Sequence, residues 1–171
     1  MKTITVGFSK ACTKFPIFSW LIMFCEKTPY SHVYLKIKDE EANRKVVYQA
    51  SHSFCNCQGE KVFKSQETTI KEFNFEVSDA SFVKIKQFSI GAMGKSYGVL
   101  SILGLSWVQL LKCFGIKIQN PFRDNGRTYI CSQLIFSILN SCENVKSSEN
   151  VNNITPRDLF GIVSKLPKKL S

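Results

Sequence analysis

One cysteine in the last third of the chain has the surroundings of a nucleophile. Residues 129–136 read Tyr-Ile-Cys-Ser-Gln-Leu-Ile-Phe, which places Cys131 where an extended segment passes into an amphipathic helix. Amide N–H groups and the positive end of a helix dipole stabilise a thiolate at such a position, and the same N–H groups can receive an oxyanion. The pattern makes Cys131 a candidate for attack on an acyl carbonyl.

A cysteine nucleophile needs a base, and the chain has two histidines, His32 and His52. Residues 31–38 alternate between apolar and polar side chains, which predicts a half-buried strand with His32 near its start. Residues 45–51 form the returning strand of a hairpin and carry Gln49. If paired residue numbers have an odd sum of 81 or 83, Gln49 lies on the His32 face. His32 would then be general base, and Gln49 would orient the imidazole without neutralising it as a carboxylate does.

The same cysteine also fits a purely structural role. Cys131 shares one helical face with four apolar residues, and a buried, unreactive cysteine is a common core residue. Those residues are Leu134, Ile135, Ile138 and Leu139. The spacing alone leaves both interpretations open.

The remaining elements are predicted from periodicity and capping signals. The chain has the length of a single domain, residues 1–171, with order expected throughout except for a fraying basic tail that contains Lys165, Lys168 and Lys169. A final helix is expected with Thr155 as N-cap and Pro156 in its first turn. Strands are predicted near residues 3–6, 68–77 and 81–90, helices at 16–24, 99–118 and 131–139, and a polar loop at 141–153.

The composition limits the class of binding partner but does not identify one partner. The formal charge of +10 favours an anionic partner, such as nucleic acid, a cell-wall polymer or a membrane surface. Seven irregularly spaced cysteines and no evident cleavable signal predict a reducing, cytoplasmic location. The apolar stretches 15–25 and 99–118 are too short or too interrupted to span a membrane, and no cofactor is expected.

Two other motifs compete with the cysteine. Residues 89–96 come within one residue of a phosphate-binding loop, with Ser89 where the first glycine belongs. His52, Cys55 and Cys57 could hold a metal ion, but a structural zinc site needs a fourth ligand, so no metal site is predicted. Nucleic-acid binding without catalysis fits the charge but lacks a basic helix or an aromatic RNA-binding signature.

Four short motifs in order carry a family resemblance: residues 31–33, 47–50, 94–97 and 129–134. Their order resembles the circularly permuted branch of the NlpC-type papain-like cysteine hydrolases, in which the histidine strand precedes the cysteine helix. The resemblance implies an α+β fold, with an antiparallel sheet packed against helices that include the Cys131 helix. By position, Cys131 matches the nucleophile, His32 the base, and Gln49 the place where many members have glutamate.

We therefore expect a cysteine hydrolase of the amidase or peptidase type, acting on an amide, ester or thioester through a Cys131 acyl-enzyme. Three further residues within the motifs, Ser31, Tyr97 and Ser132, are the expected substrate-binding residues. The substrate would be a peptide or acyl group, with peptidoglycan fragments as one possibility. The alternative is a non-catalytic binding module of the same fold that contacts an anionic partner.

Overall fold

The computed structural model describes residues 1–12, 17–40, 43–51, 53–98, 128–141 and 150–170, with Gly104, Leu111 and Ile118. The strands are β1 (Lys2–Ala11), β2 (His32–Asp39), β3 (Arg44–Ser51), β4 (Phe54–Gly59), β5 (Glu67–Val77), β6 (Ser96–Tyr97), β7 (Thr128–Tyr129) and β8 (Lys169–Leu170). The α-helices in these ranges are α1 (Ile17–Glu26), α2 (Glu60–Gln66), α3 (Asp79–Ala92), α4 (Cys131–Asn140) and α5 (Pro156–Val163).

The strands form one curled, mixed sheet in the order β7-β6-β4-β3-β2-β1-β5-β8. The inner pairings are antiparallel, whereas the two-residue strands at the edges, β7 and β8, pair in parallel with β6 and β5. The result is an eight-stranded half-barrel with helices against it. The predictions of a purely antiparallel sheet and of a permuted papain-like (NlpC-type) fold are therefore wrong, because the short edge strands add parallel pairings that no sequence periodicity indicated.

The register of the β2–β3 hairpin is the feature that positions the candidate site. Leu35 pairs with Tyr48, so paired residue numbers sum to 83, which confirms the predicted odd sum. Gln49 consequently lies on the same face of the sheet as His32, one diagonal step away.

Helix α4 packs its apolar side chains against β2 and β3. Leu134, Ile135 and Ile138 are fully buried in the main core together with Val33 and Leu35 of β2. The predicted helix at Cys131 is confirmed, and this packing fixes its N-terminus relative to the start of β2.

The His32 face of β2 continues into a smaller core. There the Tyr34 ring packs on Phe63 of α2 and on Val47, with the two rings 4.4 Å apart. Tyr34 also lies across Gly7, where an added Cβ would be 2.1 Å from Cζ of the tyrosine. A glycine at position 7 is thus required for this ring position.

One predicted strand is a helix. Residues 81–90 lie in α3, whose N-cap Ser78 accepts a hydrogen bond from the Ser81 backbone at 3.1 Å. The buried residues of α3 recur every three or four positions, but two of them are serines, so apolar alternation misidentified the element. This helix also removes the strand that a phosphate-binding loop at residues 89–96 would follow.

Several other predictions have clear outcomes. Strands β1 and β5, helix α1, and helix α5 with its Thr155 cap are confirmed, whereas β4 and α2 were missed. The basic tail does not fray at residues 168–170, because β8 pairs with β5 and Leu170 is buried. The predicted helix at 99–118 and most of the loop at 141–153 lie outside the described residues. No helix in the described ranges is long and apolar enough to cross a membrane.

Candidate active site

The structure brings Cys131, His32 and Gln49 together. The imidazole Nε2 of His32 lies 2.8 Å from Oε1 of Gln49, and the Cys131 thiol lies close enough to the same ring to raise the pKa of His32. Since Nε2 faces the amide oxygen, Nδ1 is the nitrogen left to receive the thiol proton. This is the arrangement of a nucleophile, a base and a group that orients the base.

A chain of amide side chains fixes the orientation of Gln49. Its Nε2 donates to Oδ1 of Asn56 at 3.3 Å, and Asn56 Nδ2 donates to Oγ of Ser51 at 3.2 Å. With its amide nitrogen held by Asn56, Gln49 presents its oxygen to His32. The imidazole therefore donates from Nε2, which leaves Nδ1 as the nitrogen that can exchange a proton with the thiol.

The environment of His32 favours its charged form. Burial by itself lowers the pKa of His32, but the hydrogen bond and negative charge of Cys131, the charge of Glu67 and the Gln49 hydrogen bond together raise the pKa to about 9. His32 is 8% exposed, so these neighbours act with little solvent screening. The imidazole of His32 is therefore a stronger base than a free histidine side chain.

Glu67 is the site residue that sequence reasoning missed. It begins β5, and its Oε2 accepts a hydrogen bond of 2.9 Å from Ser9 of β1. Ser9 pairs with His32 across β1 and β2, which brings this carboxylate close to the imidazole. Glu67 lies 35 residues from His32 in a strand that does not pair with β2, and only the pairing order of the strands could have connected them.

Cys131 is the first residue of α4, where the leading N–H groups have no acceptor within the helix. Gln133 stabilises the start of the helix, because its Oε1 accepts a hydrogen bond of 3.3 Å from the backbone N–H of Ile130. Cys131 is only 2% exposed. A substrate can reach the sulfur only where neighbouring side chains move aside.

The three expected substrate-binding residues occupy different settings. Ser132 is fully buried, and its hydroxyl donates to the Ile154 carbonyl at 2.6 Å, which joins α4 to the segment before α5. Ser31 is buried, and its hydroxyl bonds Ser19 of α1. The hydroxyls of both serines are therefore engaged in contacts within the protein.

Tyr97 is the third of these residues, and it packs on Ile130 beside Cys131. Burial, followed by the negative charges of Cys131, Glu67 and Cys55, raises the pKa of Tyr97 well above its usual value. The phenol therefore keeps its proton and can act as a hydrogen-bond donor in the site.

A cavity of about 430 Å³ adjoins the far side of Gln49. The side chains around it are uncharged: Gln49, Ser51, Phe54, Asn56, Cys57, Gln58 and Gln66. Amide and hydroxyl groups with one aromatic ring suit a neutral ligand that carries its own donors and acceptors.

Comparison with known proteins gives one structural neighbour. No protein-family model matches the chain, and no curated protein matches it. The crystal structure of metalloprotein yiiX from Escherichia coli O157:H7, DUF1105, is similar with a TM-score of 0.61 and 13% sequence identity, covering 100% of this chain and 94% of that chain. A likeness at this identity shows a shared fold and nothing about the site.

The neighbour's name raises the question of a metal. Across the residues described, no three His, Cys, Asp or Glu side chains come together in a group that could hold a metal ion. At the candidate site the third partner is the amide of Gln49, which is a poor ligand beside a thiol and an imidazole. Cys55 is buried and Cys57 is exposed, and His52 lies outside the described residues. The described residues do not fit a metal centre.

Proposed function

We propose that this protein is a cysteine-dependent acyl hydrolase or acyltransferase with Cys131 as the nucleophile. The observation that carries the proposal is the position of one imidazole, His32, which bonds Gln49 and lies against a helix N-terminal thiol that raises its pKa. A buried structural cysteine needs neither partner.

The proposed reaction begins with proton transfer from the Cys131 thiol to Nδ1 of His32. The thiolate attacks the carbonyl carbon, and the oxyanion is received by backbone N–H groups at the start of α4, with Tyr97 as a further donor. His32 returns its proton to the leaving amine, alcohol or thiol as the carbonyl reforms. The thioester is then attacked by water, or by an acceptor nucleophile, that gives its proton to His32. The C–S bond breaks as the carbonyl reforms, the acyl product is released, and the Cys131 sulfur takes the proton back from His32.

The proposed substrate is a peptide or acyl compound whose neutral part occupies the cavity beside Gln49. Peptidoglycan-derived peptides belong to this class. A thiol nucleophile works only while it is reduced, so we also propose a cytoplasmic location, in keeping with the free cysteines among the described residues.

The low exposure of Cys131 favours one alternative, a binding module of this fold without catalysis. In that case the Gln49 cavity would bind ligand, and the thiol would not react. Acylation of Cys131 separates the two functions directly.

The test is acetylation by the small aryl ester p-nitrophenyl acetate, followed by peptide mapping with mass spectrometry. We expect acetyl transfer to Cys131 ahead of every other cysteine, abolished in Cys131→Ala and slowed about a hundredfold or more in His32→Ala. Cys55→Ala is the matched control, because Cys55 is also buried but its pKa is raised to about 11 by burial. Acetylation confined to exposed Cys12 and Cys57, or equal labelling of Cys131 without His32, would contradict the proposal.

A further inference from the structure

Helix α1 has an unusual distribution of buried and exposed side chains. From Ser19 to Glu26 its sequence is almost entirely apolar, yet the one buried residue in that stretch is Glu26. Trp20 is 59% exposed and Phe24 67% exposed. An apolar helix that exposes two large aromatic side chains indicates a surface that contacts something else.

The two aromatic side chains form a single ridge. The rings of Trp20 and Phe24 stack with centroids 5.3 Å apart and planes at 16°, as expected for residues one helical turn apart. The stack holds both rings in place on the outer side of α1. A rigid pair loses less conformational freedom on binding than two separate side chains.

Polar contacts hold α1 against the rest of the protein. At one end Ser19 bonds Ser31, and at the other Oε2 of Glu26 accepts from the Arg157 backbone N–H at 2.8 Å. Between them Ile22 packs on Ile130, next to Cys131. The ridge is therefore anchored beside the candidate active site.

Charge and size identify the kind of partner. The chain carries +10, exposed Lys27 directly follows α1, and the one carboxylate of that helix, Glu26, is buried. An outer face without acidic residues, on a basic protein, favours an anionic surface. A stable protein interface needs about 800 Å² from each partner, whereas a two-ring ridge is enough to enter a bilayer interface, where tryptophan is favoured.

We propose that the Trp20–Phe24 ridge docks the protein on an anionic lipid bilayer. The helix lies flat in the interface, with the aromatic rings among the headgroups and acyl-chain ends, while the positive charge of the protein attracts the surface. This inference goes beyond the proposed function and does not depend on it.

The test is sedimentation with phosphatidylcholine vesicles that contain phosphatidylserine, compared with vesicles of phosphatidylcholine alone. We expect the full chain to bind the anionic vesicles more tightly, and the double variant Trp20→Ala with Phe24→Ala to lose about tenfold or more in affinity. Val83→Ala with Ile90→Ala is the matched control, because both residues are about half exposed on α3. Cys131→Ala should bind as well as the unaltered chain, which keeps this test separate from that of catalysis.

Three outcomes would overturn the proposal. They are failure of the unaltered chain to bind anionic vesicles, equal binding by the Trp20 and Phe24 variant, and equal loss in the α3 control.

Trp107→Phe leaves Trp20 as the single tryptophan, and its fluorescence should shift to the blue on vesicle addition. An unshifted spectrum, or a ridge variant that changes only the oligomeric state, would equally count against lipid docking.

Discussion

Two buried polar clusters begin from the same face of β2, four residues apart, and they differ in what surrounds the basic side chain. The His32 cluster comprises His32, Gln49, Asn56 and Cys131, and apart from the thiol its members beside the imidazole are neutral amides. The Lys36 cluster comprises Lys36, Tyr34, Glu60 and Glu72, with Lys36 Nζ 2.6 Å from Glu72 and 3.3 Å from Glu60. In the His32 cluster no carboxylate of the described residues pairs with the imidazole, which can exchange a proton. In the Lys36 cluster two carboxylates compensate the charge of the lysine.

The pKa values of one titratable group from each cluster, Glu72 and His32, show the same contrast. Burial raises the pKa of Glu72, but hydrogen bonds from Lys36 and Tyr34 outweigh burial and hold the pKa below its usual value. At His32 the groups that oppose burial are the Cys131 thiol, the more distant charge of Glu67 and the Gln49 amide, and the pKa reaches about 9. The comparison supports a role in stability for Lys36 and agrees with the role that we propose for His32.

Removal of the lysine gives the largest expected effect on stability. Lys36→Met leaves Glu60 and Glu72 without their shared cation, and we expect a loss of about 3 kcal/mol in the free energy of unfolding, measured in urea. Lys38→Met is the control, because Lys38 is exposed on the same strand. Acetylation of Cys131 should be unchanged, and a large loss of acetylation would show that the clusters are not independent.

A third buried acidic residue, Glu26, extends the comparison because its carboxylate is bound by the backbone N–H of Arg157. Burial dominates and raises the pKa of Glu26 to about 7, although the backbone hydrogen bond from Arg157 partly opposes it. The folded-state pKa of Glu26 lies above its unfolded value. The contribution of Glu26 to the free energy of unfolding is therefore complete below about pH 4.5 and is lost as the pH rises through 7.

We therefore expect the free energy of unfolding of the unaltered chain to fall by about 2 kcal/mol between pH 5 and pH 8 relative to that of Glu26→Gln, measured by urea unfolding. Glu76→Gln, at an exposed position, is the control and should follow the unaltered chain. Parallel pH profiles for the Glu26 variant and the unaltered chain would rule out a buried, protonating carboxyl.

The role of Gln49 is tested by its removal. Gln49→Ala takes away the acceptor that orients His32, and we expect about tenfold slower acetylation of Cys131 with little loss of stability. Gln58→Ala is matched, because Gln58 lines the same cavity but bonds Gln66 instead of His32. If the two variants acetylate at the same rate, Gln49 has no special part in positioning the base.

Glu67 gives the smallest expected effect. Its carboxylate acts on His32 through space, so Glu67→Gln should lower the pKa of His32 by a fraction of a pH unit, measured by NMR titration of the imidazole. Glu76→Gln on the same strand should leave that titration unchanged. A rise in the His32 pKa in the Glu67 variant would be inconsistent with the electrostatic role.

The sequence predicted the parts of the site that depend on local pattern. Alternation around His32 and the odd hairpin sum placed Gln49 correctly, and the amphipathic pattern after Cys131 located its helix. The pairing of strands that are distant in sequence could not be predicted from local pattern. Glu67 lies near the site because β1 is placed between β2 and β5. Strand β4 was missed because Cys55 is its single fully buried residue, which leaves almost no alternation to detect.

The overall fold was less predictable than the site. The permuted papain-like expectation rested on four short motifs, whereas the mixed half-barrel depends on edge strands of two residues that carry no periodic signal. The setting of α1 was equally hidden, because its sequence is apolar on nearly all sides and yet Trp20 and Phe24 are more than half exposed.

The central claim is that the Cys131 sulfur and the His32 imidazole form one proton-exchanging pair, and the most direct measurement is the NMR titration of His32. His52→Gln leaves this imidazole as the only one in the chain. We predict a pKa near 9 for His32, and a clear fall when Cys131 is replaced by alanine, because the thiol supplies the largest contributions that raise it. A His32 pKa near 6.5 that does not change in Cys131→Ala would contradict the account.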